Sequence, residues 1–217
     1  MRSVLRRCSS VSERAPRQAL RWPAVTGLYA LAVVVGLGSA WAVLRSGAGF
    51  GESVGPWRIN MLAGSAQADL YTRARVALGG LLALSRGETM YYVAQTDSAG
   101  QPLRSRCTYR IEGVPPPARW WSITAYAEDF HLFPAQARQY SLNGSTAVLD
   151  EQGRFRLISA PDPQPARTAG ASAHGWLHTP GDRGLMFTLR LYNPQAGVAQ
   201  SPASLVAPTI HAVEGCR

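Results

Sequence analysis

The hydrophobic and polar positions of the chain fall into three successive patterns. The first is a run without any charged residue, from Trp22 to Leu44. At the rise of roughly 1.5 Å per residue of an α-helix, this run is about 34 Å long, enough to cross a hydrocarbon core of about 30 Å. Aromatic residues near its ends and an arginine on each flank are typical of such a span. We therefore predict one transmembrane helix over residues 22–44.

The second pattern has the period of an α-helix. Between Ala66 and Arg86, apolar residues recur at intervals of three and four, and arginines occupy other positions. The apolar positions are Leu70, Ala74, Ala77, Leu78 and Leu81. The preceding residues 45–64 are rich in glycine and have few apolar runs, which is typical of a linker. We expect a linker followed by one amphipathic helix.

The third pattern begins after Gly87, where short runs of β-branched and aromatic residues alternate with turn signals. These runs predict strands at residues 89–96, 104–112, 120–127, 146–149, 154–159 and 185–192. Residues 97–100 and 150–153 each end in a glycine that suits a hairpin reversal. The pattern predicts a mainly β domain over residues 65–217, an antiparallel sandwich or jelly-roll-like fold.

The net charge of +9 is concentrated ahead of the apolar run. Residues 1–21 contain six arginines and one glutamate, and so carry +5 of the total. Because positively charged flanks stay in the cytoplasm, we expect a cytoplasmic tail, a span in the bacterial inner membrane and a periplasmic domain. The alternative is a cleaved signal peptide, since Ala40-Trp41-Ala42 fits a cleavage site. The length of the apolar run favours an uncleaved signal anchor, because the apolar core of a signal peptide has about 7 to 15 residues.

Two further features bear on partners. All 22 basic residues are arginine, which excludes mechanisms that depend on a lysine. The chain has no phosphate-binding loop, dinucleotide motif or basic-aromatic repeat, so we expect no nucleic-acid partner. Ala32, Gly36 and Ala40 lie on one face of the predicted span, and this spacing allows a homo-oligomer through close helix pairing. Small residues are also common in spans that stay monomeric.

The cysteines divide between two predicted compartments. Cys8 lies in the cytoplasmic tail, whereas Cys107 and Cys216 both lie in the exported domain. Because an oxidising periplasm allows disulfides to persist, we predict a bridge between Cys107 and Cys216. Two free or buried thiols are the alternative.

The predicted strands at 120–127 and 185–192 each combine an apolar face with a polar one. If these strands are neighbours, six residues line one polar, aromatic concavity: Ser122, Thr124, Tyr126, Thr188, Arg190 and Tyr192. Such a surface suits a glycan or a small polar ligand, since rings stack while arginine and hydroxyl groups direct hydrogen bonds. An ordinary solvated sheet face with cross-strand pairs is the alternative.

Catalytic and metal-binding signals are weak. The histidines are His131, His174, His178 and His211, and no CxxC or HExxH motif accompanies them. We expect neither a metal nor a cofactor. No G-x-S-x-G elbow is present, and the adjacent carboxylates of Glu128 and Asp129 would point to opposite faces of a strand. We therefore assign no catalytic residue.

The stretch CTYRIEGVPPPARWWSITAY, residues 107–126, resembles the bacterial family called domain of unknown function 1214. Residues 69–74, DLYTRA, resemble the start of that family's helix, and residues 189–194, LRLYNP, its closing strand. The late Cys216 after Pro208-Thr209-Ile210 also resembles the family and supports the bridge. The resemblance extends from about Trp57 to the end. It implies a mostly β, jelly-roll-like fold, often behind a membrane anchor, and it supplies no established activity or cofactor.

One segment departs from the family pattern. Residues 175–178 read Gly-Trp-Leu-His where the family usually has a segment like Asn-Trp-Leu-Pro, so any role of that asparagine is absent. Taken together, the sequence favours a membrane-anchored periplasmic domain that binds an envelope component, either a glycan or a protein partner. The alternatives are a periplasmic hydrolase of envelope sugars or esters and a structural subunit of an envelope complex.

Overall fold

The computed structural model describes residues 22–45, 51–78, 84–134, 139–168, 174–214 and 216. The chain divides into two units, with the boundary between Ala42 and Val43. The arginine-rich tail and Cys8 lie outside the described residues, as do Leu81 and part of the region assigned to a linker. Each unit is described by itself below.

Helix α1 spans Trp22–Arg45. Within the described residues it is the one helix long and apolar enough to cross a membrane, over Trp22–Val43. Its large apolar side chains are exposed, Trp22 by 85% and Leu37 by 69%. Apolar surface of this extent is stable when lipid covers it. The helix is consistent with single-pass anchoring.

The second unit is mainly β, which confirms the predicted fold class. Its larger sheet, the main sheet, is antiparallel throughout. In spatial order its strands are β1 (Glu52–Val54), β2 (Trp57–Ile59), β3 (Thr89–Ala94), β9 (Leu185–Pro194), β5 (Ala118–Ala127) and β6 (Ser141–Asn143). Strand β9, which comes late in the sequence, therefore lies between β3 and β5 in the middle of the sheet.

We call the second sheet the small sheet. It is mixed because one of its strand pairs is parallel. In spatial order its strands are β10 (Thr209–Glu214), β4 (Thr108–Gly113), β7 (Phe155–Ala160) and β8 (Trp176–His178). The parallel pair is β7 and β8, joined by a crossover that contains the short helix α3 (Gln164–Thr168). Ala166 of that helix packs against Ile158 in a small second cluster.

The core lies between the two sheets. Phe187 of the main sheet meets Tyr109 of the small sheet edge to face, with ring centroids 6.3 Å apart. Trp121 and Phe155 also meet across the layers, with ring centroids 4.7 Å apart and ring planes inclined by 32°. These rings belong to one continuous cluster of buried apolar residues. Burial of this apolar area is the main stabilising contribution to the fold.

The helix predicted over residues 66–86 is shorter in the structure. Helix α2 spans Leu70–Leu78 and begins after Asp69, whose carboxylate accepts hydrogen bonds from the backbone N–H groups of Tyr71 and Thr72. These bonds satisfy donors that a helix start leaves unpaired. The predicted apolar face is not turned inward, since Leu70 is 82% exposed while Thr72 is buried.

The region predicted as a linker contains the first hairpin of the main sheet. Strands β1 and β2 are joined at Gly55 and Pro56, and Gly55 has a φ of +58°, a conformation that favours glycine. Trp57 and Ile59 point into the core, and the Trp57 Nε1–H donates to the carbonyl of Pro208 at 2.6 Å. The linker prediction was wrong for residues 52–59, because glycine and proline here form a tight turn between strands.

The strand predicted at residues 146–149 was also wrong. Strand β6 lies earlier, and the Asn143 side chain accepts hydrogen bonds from the backbone N–H groups of Ser145 and Thr146. This local turn competes with a ladder and ends the strand. The other five predicted strands are present with shifted ends. Strands β8 and β10 were not predicted.

Candidate functional site

The two strands that carry the predicted site residues are neighbours in the main sheet. Strands β5 and β9 pair antiparallel, with Ser122 opposite Arg190 and Thr124 opposite Thr188. Paired residues of an antiparallel ladder point to the same side of the sheet. The structure therefore brings all six predicted residues together, on the face of the main sheet that is turned away from the small sheet.

Two aromatic residues that the sequence did not assign to the site complete this surface. Tyr91 of β3 lies opposite Arg190, on the other side of β9 from Ser122. Trp120 of β5 lies opposite Tyr192. We call the resulting surface the polar face, and its residues are Tyr91, Trp120, Ser122, Thr124, Tyr126, Thr188, Arg190 and Tyr192.

Arg190 lies at the centre of the polar face. Its Nη1 donates to Thr124 Oγ1 at 3.2 Å and its Nη2 donates to the Tyr126 hydroxyl at 2.8 Å. The guanidinium carbon lies 5.4 Å from the ring centroid of Tyr126 and 6.0 Å from that of Tyr91. Such distances allow cation–π attraction. The hydroxyl groups and the two rings together hold the guanidinium in one orientation.

The small hydroxyl side chains form the floor of the polar face. Ser122, Thr124 and Thr188 are 4%, 6% and 3% exposed, whereas Trp120 reaches 36%. Thr89 of β3, which pairs with Tyr192 of β9, is 2% exposed, and its hydroxyl group interacts with that of Tyr91. Buried hydroxyl groups are usually hydrogen-bonded. The floor therefore places buried hydroxyl groups beside the guanidinium of Arg190.

The tyrosine that borders Arg190 on β3 stays neutral at physiological pH. Burial raises the pKa of the Tyr91 hydroxyl above its ordinary value, and the neighbouring Tyr192 raises it further. Arg190 and hydrogen bonds from Thr89 and the backbone of Leu84 act in the opposite direction. A neutral phenol donates as well as accepts a hydrogen bond. Tyr91 is thus a second donor beside the guanidinium.

An aromatic pair forms one end of the polar face. The rings of Trp120 and Tyr192 lie 5.0 Å apart and are inclined by 55°. The indole Nε1–H of Trp120 donates to Ser145 Oγ at 3.3 Å, which fixes the ring from the loop that follows β6. Exposed, fixed aromatic rings can stack against a ligand with little loss of side-chain entropy.

The histidines lie apart from the polar face. His178 Nδ1 is 2.7 Å from the carbonyl of Pro134, His174 Nδ1 is 3.3 Å from Gln139 Oε1, and His131 lies beside Asp129. The structure describes no group of three or more potential metal ligands within its described residues. His178 also lines a small pocket with Gln139 and Tyr140, on the other side of β5.

The carboxyl groups with displaced pKa values are shifted downward. A hydrogen bond from Arg183 lowers the pKa of Asp129, and hydrogen bonds from Thr72 lower that of Asp69. A general acid at neutral pH needs a displacement in the opposite direction. Neither carboxylate therefore has the character of a catalytic acid.

Two cysteines of the β domain lie within disulfide distance. Cys107 is buried just before β4, Cys216 follows β10, and their Cα atoms are 5.0 Å apart. Strands β4 and β10 are paired neighbours, so the bond would join the chain end to the small sheet. This separation is within the usual range of a disulfide.

These features define a class of protein: a two-sheet, mainly β domain with one polar face, in a chain that also contains a helix able to span a membrane. The family model described as Protein of unknown function (DUF1214) matches residues 88–196, half of the chain. The chain belongs to this family. The matched region contains every residue of the polar face.

The fold is similar to that of solved proteins. The VPA0106 protein from Vibrio parahaemolyticus is 18% identical, with a TM-score of 0.58, and the match covers 92% of this chain and 48% of that one. The chain thus spans about half the length of that protein. A putative uncharacterized protein from Burkholderia cenocepacia is 13% identical, with a TM-score of 0.42 and coverage of 94% and 45%. No curated protein matches the sequence.

Proposed function

We propose that the chain is a membrane-anchored binding domain of the bacterial envelope, and that its polar face takes up a hydroxyl-rich ligand such as an envelope glycan. The observation that carries this proposal is the buried floor of Ser122, Thr124 and Thr188 beside the exposed ring of Trp120 and the half-buried ring of Tyr192. On an ordinary solvated sheet face, serine and threonine are mostly exposed. Here they lie recessed, where a ligand hydroxyl can replace water.

The chemistry of the polar face suits a sugar. The rings of Trp120 and Tyr192 offer apolar surfaces against which the C–H groups of a sugar ring can pack. Arg190 and the floor supply donors and acceptors at fixed positions. Binding sites of this kind combine apolar walls with a few well-placed polar groups. No catalytic step is needed for this role.

The periplasmic location is part of the proposal and rests on two supports. The arginines of residues 1–21 precede α1, and positive flanks remain in the cytoplasm. The Cys107 and Cys216 thiols lie at bonding distance, and such bonds persist in oxidising compartments. A reporter that is active only in the periplasm, fused after Arg217, should give signal. Activity of a cytoplasmic reporter at the same position would contradict the orientation.

The binding proposal is tested with the full chain in lipid nanodiscs, titrated with oligosaccharides released from bacterial peptidoglycan and outer polysaccharide. We expect Trp120→Ala to weaken binding up to about tenfold, as the loss of one stacking contact of about 0.5–1.5 kcal/mol predicts. Tyr140→Ala is the matched control, because Tyr140 is also an exposed aromatic residue but lies outside the polar face.

The outcome also separates a glycan from a protein partner. Equal affinity of the two variants for every oligosaccharide would contradict glycan binding at the polar face. Crosslinking from position 120 in the native membrane would then identify a protein partner, if the face binds one. Loss of that crosslink in the Arg190→Gln variant, with retention in Tyr140→Ala, would locate the protein contact on the same residues.

A further inference from the structure

We infer that the ligand of the polar face is an anion, and that Arg190 receives its carboxylate or phosphate group. This inference rests on the proposed function and deepens it by naming the chemical class of the ligand. It comes from the charge of Arg190, the donors left free on its guanidinium and the hydroxyl groups around it.

Arg190 differs in its partners from the arginines of the domain that form ion pairs, including Arg183, which is half-buried like Arg190. Arg106 pairs with Asp182 at 3.0 Å, Arg183 pairs with Asp129, and Arg156 pairs with Glu112. Among the described residues, no carboxylate lies within ion-pair distance of Arg190, whose partners are two neutral hydroxyl groups and two rings. The positive charge is therefore oriented but not neutralised.

This charge is also partly removed from water. Arg190 is half-buried, and the floor on either side of it is buried. A charge in such surroundings interacts with an opposite charge more strongly than it would in bulk water. A partly buried cation without a counter-ion is costly, so a ligand that supplies the counter-ion gains the corresponding stabilisation.

The geometry leaves donors available for the anion. A guanidinium has five N–H donors in a planar fork, and Thr124 and Tyr126 each accept from one terminal nitrogen. The remaining donors match the two oxygens of a carboxylate or phosphate. The ring of Tyr91 lies 6.0 Å from the guanidinium carbon and forms an aromatic border of the site.

The hydroxyl groups near Arg190 indicate that the ligand carries hydroxyl groups in addition to its anionic group. Ser122 lies directly opposite Arg190 in the ladder, and Thr188 opposite Thr124. Thr89, which pairs with Tyr192, is also buried, and its hydroxyl group interacts with that of Tyr91. Hydroxyl groups beside a cation fit an acidic sugar or a sugar phosphate, in which the anionic group and hydroxyl groups are carried together. A free inorganic anion would use only the arginine.

The experiment compares the binding of an acidic oligosaccharide with that of the same oligosaccharide without its charge. The full chain in zwitterionic nanodiscs is titrated by calorimetry with a trimer of galacturonic acid, with the same trimer after reduction of its carboxyl groups, with a trimer of sugar phosphates and with inorganic phosphate. We expect a charged trimer to bind about ten- to hundredfold more tightly than the neutral one, as a hydrogen-bonded charge pair of 1.5–3 kcal/mol predicts. The affinity should fall as salt rises.

Variants test whether Arg190 is the anion's partner. Arg190→Gln should remove the preference for the charged trimers, and Arg190→Lys should restore only part of it, because a lysine lacks the planar fork. Arg154→Gln is the matched control, since Arg154 is exposed on the 150–153 hairpin and loses the same charge. Tyr126→Phe, which keeps the ring and the fold, is a second variant in case Arg190→Gln does not fold.

The outcomes separate the inference from the proposed function. Equal binding of charged and neutral trimers, unchanged in Arg190→Gln but weakened in Trp120→Ala, would overturn the anion inference and leave glycan binding in place. Binding of none of the trimers would overturn both. Preference for the sugar phosphates over the uronate trimer would identify phosphate as the anionic group, and binding of inorganic phosphate alone would overturn the acidic-sugar class.

Discussion

The two faces of strand β5 are both largely buried, but in different ways. Ile123 is 0% exposed and belongs to the core cluster, where the main sheet meets the small sheet. Thr124, the next residue, is 6% exposed, yet it lies among polar side chains and accepts a hydrogen bond from Arg190. The inner face is covered by a second sheet, whereas the outer face carries the polar side chains around Arg190, with the buried Met186 opposite Tyr126.

This contrast shows that low exposure alone does not define a core. Removal of apolar area from water stabilises the inner face. A buried hydroxyl stabilises nothing by itself, because it loses water and must regain a hydrogen bond. Residues of the polar face should therefore matter more for binding than for folding, and the opposite should hold for their inward neighbours.

The largest effect is expected from an inward residue. Ile123→Ala should lower the free energy of unfolding by about 2–5 kcal/mol, because it leaves a cavity between the sheets. Thr124→Ala, one position away, should cost only about 0.5–1.5 kcal/mol through the lost hydrogen bond. Denaturant unfolding of the full chain in detergent, followed by tryptophan fluorescence, measures both. Equal losses would remove the distinction between the faces.

The next largest effect on stability is expected from the bond between Cys107 and Cys216, which joins the chain end to the small sheet. Cys216→Ser should lower the free energy of unfolding by about 2–4 kcal/mol, since the bond to Cys107 closes a long loop. The two cysteines are separated by 109 positions. Cys8→Ser is the control and should change nothing in the domain. As long as the protein is folded, the affinity of the polar face for its ligand should not change. A loss of affinity without a loss of stability would show that binding at the polar face depends on the disulfide.

A smaller effect on stability is expected at the polar face itself. Tyr126→Phe keeps the ring near Arg190 but removes the hydroxyl that accepts from Nη2. The free energy of unfolding should change by about 1 kcal/mol or less. Binding of an anionic trimer should nevertheless weaken several-fold, because the guanidinium is less firmly oriented. Calorimetry on the same sample used for unfolding gives both quantities, and a purely structural role would change stability alone.

The smallest effect compares two adjacent tyrosines, one on each face. Burial raises the pKa of both Tyr91 and Tyr92. A folded protein then holds these phenol protons more tightly than an unfolded one, so the stability they contribute is present below about pH 10 and is lost as the pH rises further. Tyr92, which donates to the carbonyl of Pro202 at 3.0 Å, is the inward residue.

Substitution separates the two contributions. Tyr92→Phe should flatten the alkaline decline in the free energy of unfolding more than Tyr91→Phe, because Tyr92 is the more deeply buried. Phenolate absorbance of the folded protein should show both residues ionising above the ordinary tyrosine range. Ionisation of either one at its ordinary pKa would contradict its burial.

The local pattern of the sequence predicted which side chains share a face, but not which strands are neighbours. Alternation in β5 and β9 placed Ser122 and Arg190 on polar sides correctly. Tyr91 was missed as a site residue, although it lies in a predicted strand, because its contact with Arg190 depends on β3 pairing with β9. That pairing joins residues roughly a hundred positions apart, and periodicity carries no information at such distances.

Short elements limited the prediction of the fold for a different reason. The hairpin of β1 and β2 has strands of three residues, too short for a period to be recognised beside Gly55 and Pro56. The usable signal was Trp57-Arg58-Ile59, in which two large apolar residues flank a charged one. Strand 146–149 failed because the side chain of Asn143 sets a turn, and single-residue turn chemistry outweighs a weak strand pattern.

The central place of β9 has a consequence for the order in which the domain is assembled. Ribosomes complete Thr89–Ala94 and Ala118–Ala127 long before Leu185–Pro194, the segment that must lie between them. Until that late segment arrives, the two earlier strands lack their shared neighbour, and the apolar side chains of both stay uncovered. Closure over such distances is slow. The main sheet of this domain can therefore be completed only after nearly all of the chain has been synthesised.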